Sequence, residues 1–420
     1  MTRQQIGANM YLTYVPSEKF KTSFLSAQLA VPLRRETAAP NALLVNVLSR
    51  GTARFPDMTS LGRELDMLYG ARLEPTVRKK GEIQLFGFAA SCIDDRYLPS
   101  GERLLEPLTD LLGEMLLSPA LQDGHLNAGY IASERENLAD LIRSTVNDKR
   151  SYASRRLIEE MCAGEPFGIG RMGAAQDVEA VTPEALEAHY QSILPRARLE
   201  LFYCGSAPEE RVKGAFVQAF STLPREGEIR LEPALRLPVR PERRVVTEEM
   251  DVTQGKLCIG CRTECADRPA NMIMNAMFGG ASSSKLFLNV REKLSLCYYA
   301  DSAYYWTKGL ITISSGIEPR DYDRAIEEIL AQLEDLKNGI WEDWEFEAAR
   351  TSIRCALRSV EDSAASLEDF LIGCGVLKDA GTLEELKEGI LPVTRERVMA
   401  AAAAVQPDTV YFLRGREAQA

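Results

Sequence analysis

The chain has 420 residues, of which 45% are hydrophobic and 26% are charged, so it is long enough to bury the cores of two or more domains. The formal net charge is −11, and the 50 Lys and Arg residues form no long run, which excludes a nucleic-acid-binding surface. The N-terminus lacks the features of a signal peptide, and no segment approaches about 18 uninterrupted apolar residues. We therefore expect a cytoplasmic protein with neither nucleic acid nor a membrane as its partner.

The first half of the chain predicts an ordered series of strands and helices. The predicted elements are strands over 10–15 and 23–31, a helix over 37–51 with Pro40 near its start, and a hairpin of 71–78 and 82–91 around Lys80-Gly81. After these come an amphipathic helix over 104–117, long helical segments over 127–161, a helix capped by Thr182 and a strand over 199–204.

The second half repeats this order at an offset of roughly 210 to 230 residues. Its elements are strands over 244–250 and 255–262, a helix over 266–280 with Pro269 near its start, and a hairpin of 297–306 and 310–316 around Lys308-Gly309. An amphipathic helix over 325–336, a long helix over 344–360, a helix capped by Thr394 and a strand over 409–413 complete the copy.

This repeat predicts an α+β fold of two tandem homologous domains, each with a mixed, mainly antiparallel sheet backed by helices. Residues 224–244 hold four prolines and many charges, a composition typical of an extended linker. We therefore expect an N-terminal domain over 1–223, a linker over 224–244 and a C-terminal domain over 245–420.

The nine cysteines are an odd number scattered along the chain, which favours reduced, buried thiols over a disulfide framework. Cys258, Cys261 and Cys265 have a spacing that resembles a zinc site. However, the surrounding GKLCIGCRT predicts a strand, on which Cys258 and Cys261 would point to opposite faces. We therefore expect no metal there.

The stretch SSSKLFLNVREKLSLCYY (282–299) places a cation and two phenols just before a predicted strand. Its apolar residues have helical spacing, which puts Arg291 on or beside the polar flank, and Tyr298 follows after a short turn. A guanidinium and a phenol together can hold a peptide. The alternative is a surface salt-bridge arginine with a core tyrosine, and Tyr299 is a weaker candidate that could equally serve packing.

The duplicated domain and the segment REKLSLCYY resemble the insulinase and pitrilysin-type metallopeptidases, the inverzincins, in the branch similar to the mitochondrial processing peptidase. The resemblance extends over nearly the whole chain. In that family the first long helix carries His-x-x-Glu-His before a Gly-Thr pair. The two histidines bind zinc and the glutamate is the general base, while a later helix supplies a glutamate as the third ligand.

Counting back from the pair Gly51-Thr52 places Ala42, Val45 and Asn46 at the His, Glu and His positions. Alanine and valine offer no lone pair, and a lone asparagine amide is a poor zinc ligand. The segment SERENLADLI resembles the later helix and has Leu141 at the ligand position.

The resemblance thus implies that all four functional positions are degenerate. The two histidines of the chain, His125 and His189, lie far from the motif in sequence. We therefore expect no catalytic residue, no metal and no cofactor.

Within the family, an arginine and a tyrosine of the second domain bind the substrate backbone, and these match Arg291 and Tyr298. In several branches one subunit keeps the zinc motif while its partner keeps this arginine and tyrosine. The chain is similar to that second kind, in particular to the bacterial proteins associated with the 5-aminopentanol modification of elongation factor P.

The resemblance implies a pseudoenzyme that binds an extended peptide for a zinc-bearing relative, as a heterodimer, or that pairs with itself as a homodimer. An alternative is a peptide-binding or scaffold protein with no role in proteolysis. A hydrolase built on Ser282 to Ser284 is disfavoured, because those serines lack a nucleophile-elbow setting and a neighbouring histidine.

Overall fold

The computed structural model describes residues 1–232, 234–377 and 380–415. Its strands are β1 (Thr2–Gly7), β2 (Met10–Pro16), β3 (Thr22–Pro32), β4 (Arg72–Lys80), β5 (Ile83–Ile93), β6 (Leu121–Gln122), β7 (His125–Leu126), β8 (Arg198–Gly205), β9 (Arg244–Met250), β10 (Gly255–Thr263), β11 (Cys297–Tyr305), β12 (Leu310–Ile317) and β13 (Val405–Gly415). Its α-helices are α1 (Arg35–Leu48), α2 (Met58–Met67), α3 (Leu105–Leu117), α4 (Ala128–Ser144), α5 (Lys149–Met161), α6 (Ala175–Glu179), α7 (Pro183–Ile193), α8 (Glu209–Ala219), α9 (Arg268–Asn275), α10 (Tyr322–Lys337), α11 (Asp343–Ser359), α12 (Ala364–Val376), α13 (Leu383–Ile390) and α14 (Arg395–Ala403). Two stretches of π-helix, π1 (Ala276–Gly280) and π2 (Leu286–Lys293), lie between α9 and β11 in this part of the chain.

The first compact unit consists of Met1–Ser144, Ile169–Pro233 and Glu361–Ala380. Its sheet has the order β1-β2-β8-β3-β5-β4, with β2 and β8 parallel and the other neighbours antiparallel. Because side chains alternate along a strand, Leu29 packs into the large core with α1 and α3, while Ala30 packs on the opposite face against Leu371 and Ile372 of α12. Helices therefore cover both faces of this sheet.

The second compact unit consists of Thr145–Gly168, Ala234–Val360 and Gly381–Ala420. Its sheet has the order β9-β13-β10-β12-β11, with β9 and β13 parallel and the other neighbours antiparallel. Ala153 and Leu157 of α5 pack against Cys258 and Tyr411 on one face of it.

The two sheets match strand for strand, because β2-β8-β3-β5-β4 of the first unit corresponds to β9-β13-β10-β12-β11 of the second. Each sheet keeps its parallel pair at the same place. The predicted α+β class, the repeat and both Lys-Gly hairpins are confirmed.

The compact units are not the two halves of the sequence. Helix α5 comes from the first half but belongs to the second unit, whereas α12 comes from the second half but belongs to the first. The units differ from the predicted ranges 1–223 and 245–420 by this exchange. Between 223 and 243 the described residues form no helix or strand, and a linker over 224–244 stays a prediction.

Buried charges anchor both exchanged helices within their units. In the first unit, Glu368 of α12 accepts hydrogen bonds from Arg78 at 2.5 and 2.7 Å and from Ser26 at 2.8 Å. In the second unit, Glu165 follows α5 and pairs with Arg262 at 2.6 Å and with Lys308 at 2.7 Å.

Two local expectations change. Pro40 lies inside α1, which begins five residues earlier at Arg35, and not near the helix start. The reason is that the first turn closes on Arg34, whose carbonyl accepts from Ala38 N at 2.9 Å. The helical segment over 127–161 is also broken, because Asp148 caps α5 by accepting from Arg150 N and Ser151 N at 3.1 Å each.

Candidate functional site

The positions that the resemblance assigns to the first part of the zinc motif lie on α1. Ala42 and Val45 are completely buried in the core of the first unit, while Asn46 is half-buried. The neighbouring apolar residues of the helix face the same core: Leu43, Leu44, Val47 and Leu48. Ala42 and Val45 therefore serve as packing surface, and their side chains carry no atom that could bind a metal ion.

Leu141 lies on α4, which an ion pair holds beside the C-terminal end of α1. Arg50 Nε donates to Glu134 at 2.6 Å and Arg50 Nη2 donates to Ser133 Oγ at 3.2 Å. Leu141 follows Glu134 by two helical turns and is therefore on the same side of α4. Its side chain is exposed and offers no metal ligand.

His189 is remote from α1 in sequence, but the fold brings it next to the motif. Its Nε2 donates to Asn41 Oδ1 at 2.6 Å, and Asn41 Nδ2 donates to Gln84 at 2.8 Å. Gln84 in turn donates to the carbonyls of Ala38 and Arg171. Burial lowers the pKa of His189, so this is a neutral, hydrogen-bonded histidine within a structural network.

The remaining metal candidates are dispersed. His125 is exposed and its Nδ1 lies 3.1 Å from Glu187, and burial raises the pKa of the Cys258 and Cys261 thiols to about 12. Across the residues that the structure describes, no group of three His, Cys, Asp or Glu side chains could hold a metal ion.

In the second unit, π2 presents Arg291. Leu286 and Val290 are buried, while the Arg291 side chain is 40% exposed. This confirms that Arg291 lies on the polar flank of the helix. Its guanidinium lies 4.6 Å from the Phe287 ring centre and 3.5 Å from Glu292. The helix ends on a π-type bond from Leu294 N to Asn289 O at 3.0 Å, and π-helical turns occur often at functional sites.

Tyr298 lies at a β-bulge on β11, the edge strand of the second sheet. Cys297 pairs with Ile317 and Ala300 pairs with Ser315, so Tyr298 and Tyr299 together stand opposite Gly316. Such a bulge redirects a side chain, and Tyr298 is 62% exposed. The alternative of a core tyrosine is therefore wrong for this residue.

The hydroxyl of Tyr298 donates to Glu318 Oε1 at 3.1 Å. This hydrogen bond to a carboxylate raises the pKa of Tyr298, so the phenol stays protonated at neutral pH. With its hydrogen given to Glu318, the phenol oxygen can still accept a hydrogen bond from another group.

Tyr299 has a packing role. Its ring lies so close to Gly316 that a Cβ there would be 2.6 Å from Cε1, and the carbon of the Arg150 guanidinium stands 4.1 Å from its ring centre.

The edge strand of the first sheet, β4, contains Pro75 in its middle. Lys80 and Ile83 close a two-residue hairpin, and hydrogen-bonded pairs alternate outward from such a closing pair. Pro75 opposite Phe88 thus falls on a non-hydrogen-bonded pair, so its missing N–H is on the outer edge. A peptide strand added to β4 would lack one central hydrogen bond.

Comparisons with known proteins show which family the chain resembles. A family model described as "Peptidase M16 inactive domain" matches residues 180–353. A protein of Bacillus subtilis (strain 168), "Probable inactive metalloprotease YmfF", is 36% identical over 408 residues, which are 96% of this chain and 95% of that protein. A conserved protein from Enterococcus faecalis V583 has a solved structure with a TM-score of 0.91 at 26% identity, covering 100% of this chain and 99% of that one. A peptidase M16 inactive domain from Pseudomonas fluorescens gives a TM-score of 0.77 at 17% identity over 100% of both chains.

The two matching sheets and the matching family model define the class, which is a peptidase-type fold. Given its 36% identity to the Bacillus relative over nearly its whole length, the chain belongs to the M16 peptidase family, the insulinase and pitrilysin-type peptidases of the predicted resemblance. It is one of the inactive members of that family and is not itself an active metallopeptidase. No helix in the described residues is both long and apolar enough to span a membrane.

Proposed function

We propose that the chain is a non-catalytic subunit that binds an extended polypeptide through Arg291 and Tyr298 for a zinc-bearing relative. The observation that carries this proposal is the exposed Tyr298 at the bulge of an edge strand. A bulge that places a large aromatic side chain in solvent contributes little to packing, so a ligand is the better explanation for it.

The chemistry of the two side chains fits a peptide backbone. Arg291 supplies several N–H donors for carbonyl oxygens, while the Tyr298 oxygen, whose hydrogen goes to Glu318, supplies an acceptor for an amide N–H. Because β11 is the edge strand of its sheet, a peptide strand could also add to its outer side. One donor and one acceptor beside such an edge can bind successive peptide units without reading their side chains.

The proposed partner is a relative that has the metal site and the general base expected to be missing from the first unit. A relative with an intact zinc motif would supply the metal and the general base, and this chain would supply binding. We place this pair in the cytoplasm. The nine cysteines, an odd number scattered along the chain, support a reducing compartment.

The test is to measure cleavage of casein, an unfolded polypeptide, by this chain, by a zinc-bearing relative from the same genome, and by both mixed. We expect cleavage to rise on mixing and to fall again when the mixture contains Arg291→Ala. Chelator-sensitive cleavage by this chain alone would overturn the proposal.

A rise that survives both Arg291→Ala and Tyr298→Phe would favour a scaffold that organises the relative without touching the substrate. Light scattering of this chain alone then establishes whether it forms a homodimer when no relative is present.

A further inference from the structure

Arg150, near the start of α5, contacts the strand that carries Tyr298. The carbon of its guanidinium stands 4.1 Å from the ring centre of Tyr299, and its Nη2 forms an ion pair with Asp301. Tyr299 and Asp301 are two residues apart on β11 and therefore lie on one face of the strand. A single planar cation thus bridges two consecutive positions of that face, immediately after Tyr298.

The opposite side of the bulge is also fixed. Ser315 Oγ donates to the carbonyl of Tyr299 at 3.0 Å, and the Tyr299 ring lies directly over Gly316, where any Cβ would collide with it. The ring is therefore held between Gly316, Arg150 and Lys256, whose Nζ is 5.7 Å from the ring centre. When Tyr299 is held in this way, the preceding residue is directed away from that face.

Arg150 is itself placed accurately. Asp148 caps α5 by accepting from Arg150 N and Ser151 N at 3.1 Å each, and Ser151 Oγ donates to the same carboxylate at 2.6 Å. The cap fixes the first turn of α5 and hence the direction in which the Arg150 side chain leaves the helix. This helix comes from the first half of the sequence but belongs to the unit that holds β11.

We propose that Arg150 is a positioning residue for peptide binding, which holds Tyr299 in the bulge and thereby directs Tyr298 to the ligand. The proposal rests on the function proposed above. It means that the binding site on β11 is completed by a residue from the other half of the sequence. A relative that resembles this chain only in the second half of the sequence could therefore lack Arg150 and have an incomplete site.

The test combines a spectroscopic and a binding measurement on the full-length chain. In protein labelled with 3-fluorotyrosine, Tyr298→Phe and Tyr299→Phe assign two of the 14 tyrosine ¹⁹F resonances. Arg150→Ala is expected to shift these two resonances and leave most of the others in place. Binding of fluorescein-labelled casein, measured by anisotropy, is expected to weaken about tenfold.

Three further variants show whether the effects are specific to the contacts of Arg150. Arg155→Ala removes the same charge from the same helix, but Arg155 contacts Tyr152 and Glu159, so both measurements should match the wild type. Arg150→Lys keeps the charge but loses the planar stacking, so it should bind casein with intermediate affinity. If Arg150→Ala folds poorly, Asp301→Asn removes the ion pair with little change in volume and should shift the same two resonances.

The outcomes separate the two proposals. Unshifted Tyr298 and Tyr299 resonances in Arg150→Ala and Asp301→Asn would overturn the positioning role, whatever the binding data show. Wild-type casein affinity in Arg150→Ala, with weaker binding in Tyr298→Phe, would overturn it as well. If Arg291→Ala and Tyr298→Phe both keep wild-type affinity, it is the proposed function that fails.

Discussion

The helix that follows the second strand of each repeat differs between the two units. In the first unit it is the regular helix α1, whose motif positions Ala42 and Val45 are completely buried. In the second it is α9 followed by π1, and the π2 and β11 segments beyond it leave Arg291 and Tyr298 open to solvent. Of the two copies of the repeat, the first thus has a fully packed helix at this place, while the second leaves polar groups in solvent. Under the proposed function, such a chain has lost its chemistry and kept its binding.

The largest expected effect on stability concerns the buried ion pairs of Glu165 in the second unit. Glu165→Ala leaves Arg262 and Lys308 buried without their shared carboxylate, and removing one partner of a buried ion pair costs about 3–5 kcal/mol. Urea unfolding measures the loss. Glu159→Ala, at a half-buried position paired with Arg155 and Arg156, is the control and should cost about 1 kcal/mol or less. Equal losses in the two variants would show that the buried cluster does not anchor the segment after α5.

The second prediction concerns the motif side of α1. Val45→Glu restores the residue type of the family motif at a completely buried position, where an unpaired carboxylate costs on the order of 3 kcal/mol. Leu141→Glu places a glutamate at the other position that the resemblance assigns to one, which is exposed, and should change stability by less than about 0.5 kcal/mol. Thermal or urea unfolding compares the two variants. A stable Val45→Glu chain would contradict the description of α1 as core.

The third prediction concerns His189 in the first unit. Burial lowers the pKa of His189 below its ordinary value of 6.5, so the unfolded chain takes up a proton at a higher pH than the folded chain. The contribution of His189 to the free energy of unfolding is therefore fully present above about pH 6.5. It is lost as the pH falls toward the lowered folded-state pKa. In that range the free energy of unfolding should fall by at most about 1.4 kcal/mol for each unit by which the pH falls.

Urea unfolding between pH 5 and pH 8 checks this slope. His189→Asn should flatten that part of the profile relative to the wild type. A profile that His189→Asn leaves unchanged would mean that the network of His189, Asn41 and Gln84 does not respond to protonation.

The smallest effect concerns the edge of the first sheet. Pro75→Val returns an N–H to the outer edge of β4, and one additional hydrogen bond is worth about 1 kcal/mol. If part of a bound peptide lies along β4, casein affinity should rise about fivefold. Pro75→Ala is the control, because it restores the same N–H with a smaller side chain and should give the same gain. Unchanged affinity in both variants would restrict the peptide to the second unit.

The fold was largely predictable, because its signals are local. The Lys-Gly pairs at Lys80 and Lys308 lie between runs with strand character, and both mark hairpins in the structure. Thr182 and Thr394 cap their helices as predicted. The exchange of α5 and α12 was not predictable, because the apolar face of a helix does not specify which of two similar sheets will cover it.

The site was predicted in part. The polar flank of Arg291 follows from helical spacing, and its side chain is exposed in the structure, whereas the motif positions on α1 come from the resemblance and stay a prediction. The bulge was missed, although the sequence contains a trace of it in the pair Tyr298-Tyr299 and in Gly316, which leaves room for a ring. The contacts of Arg150 with Tyr299 and of His189 with Asn41 join residues about 150 positions apart, and no local pattern reports such pairs.

The most direct test of the central claim, that binding persists in the second unit alone, is the affinity for fluorescein-labelled casein of two double variants. Arg291→Ala with Tyr298→Phe should bind at least about tenfold more weakly than the wild type, because two hydrogen-bonding groups are lost. Asn46→Ala with Leu141→Ala, at two positions that the resemblance assigns to metal ligands, should stay within about twofold of the wild type. The reverse pattern, or wild-type affinity in both double variants, would contradict the claim.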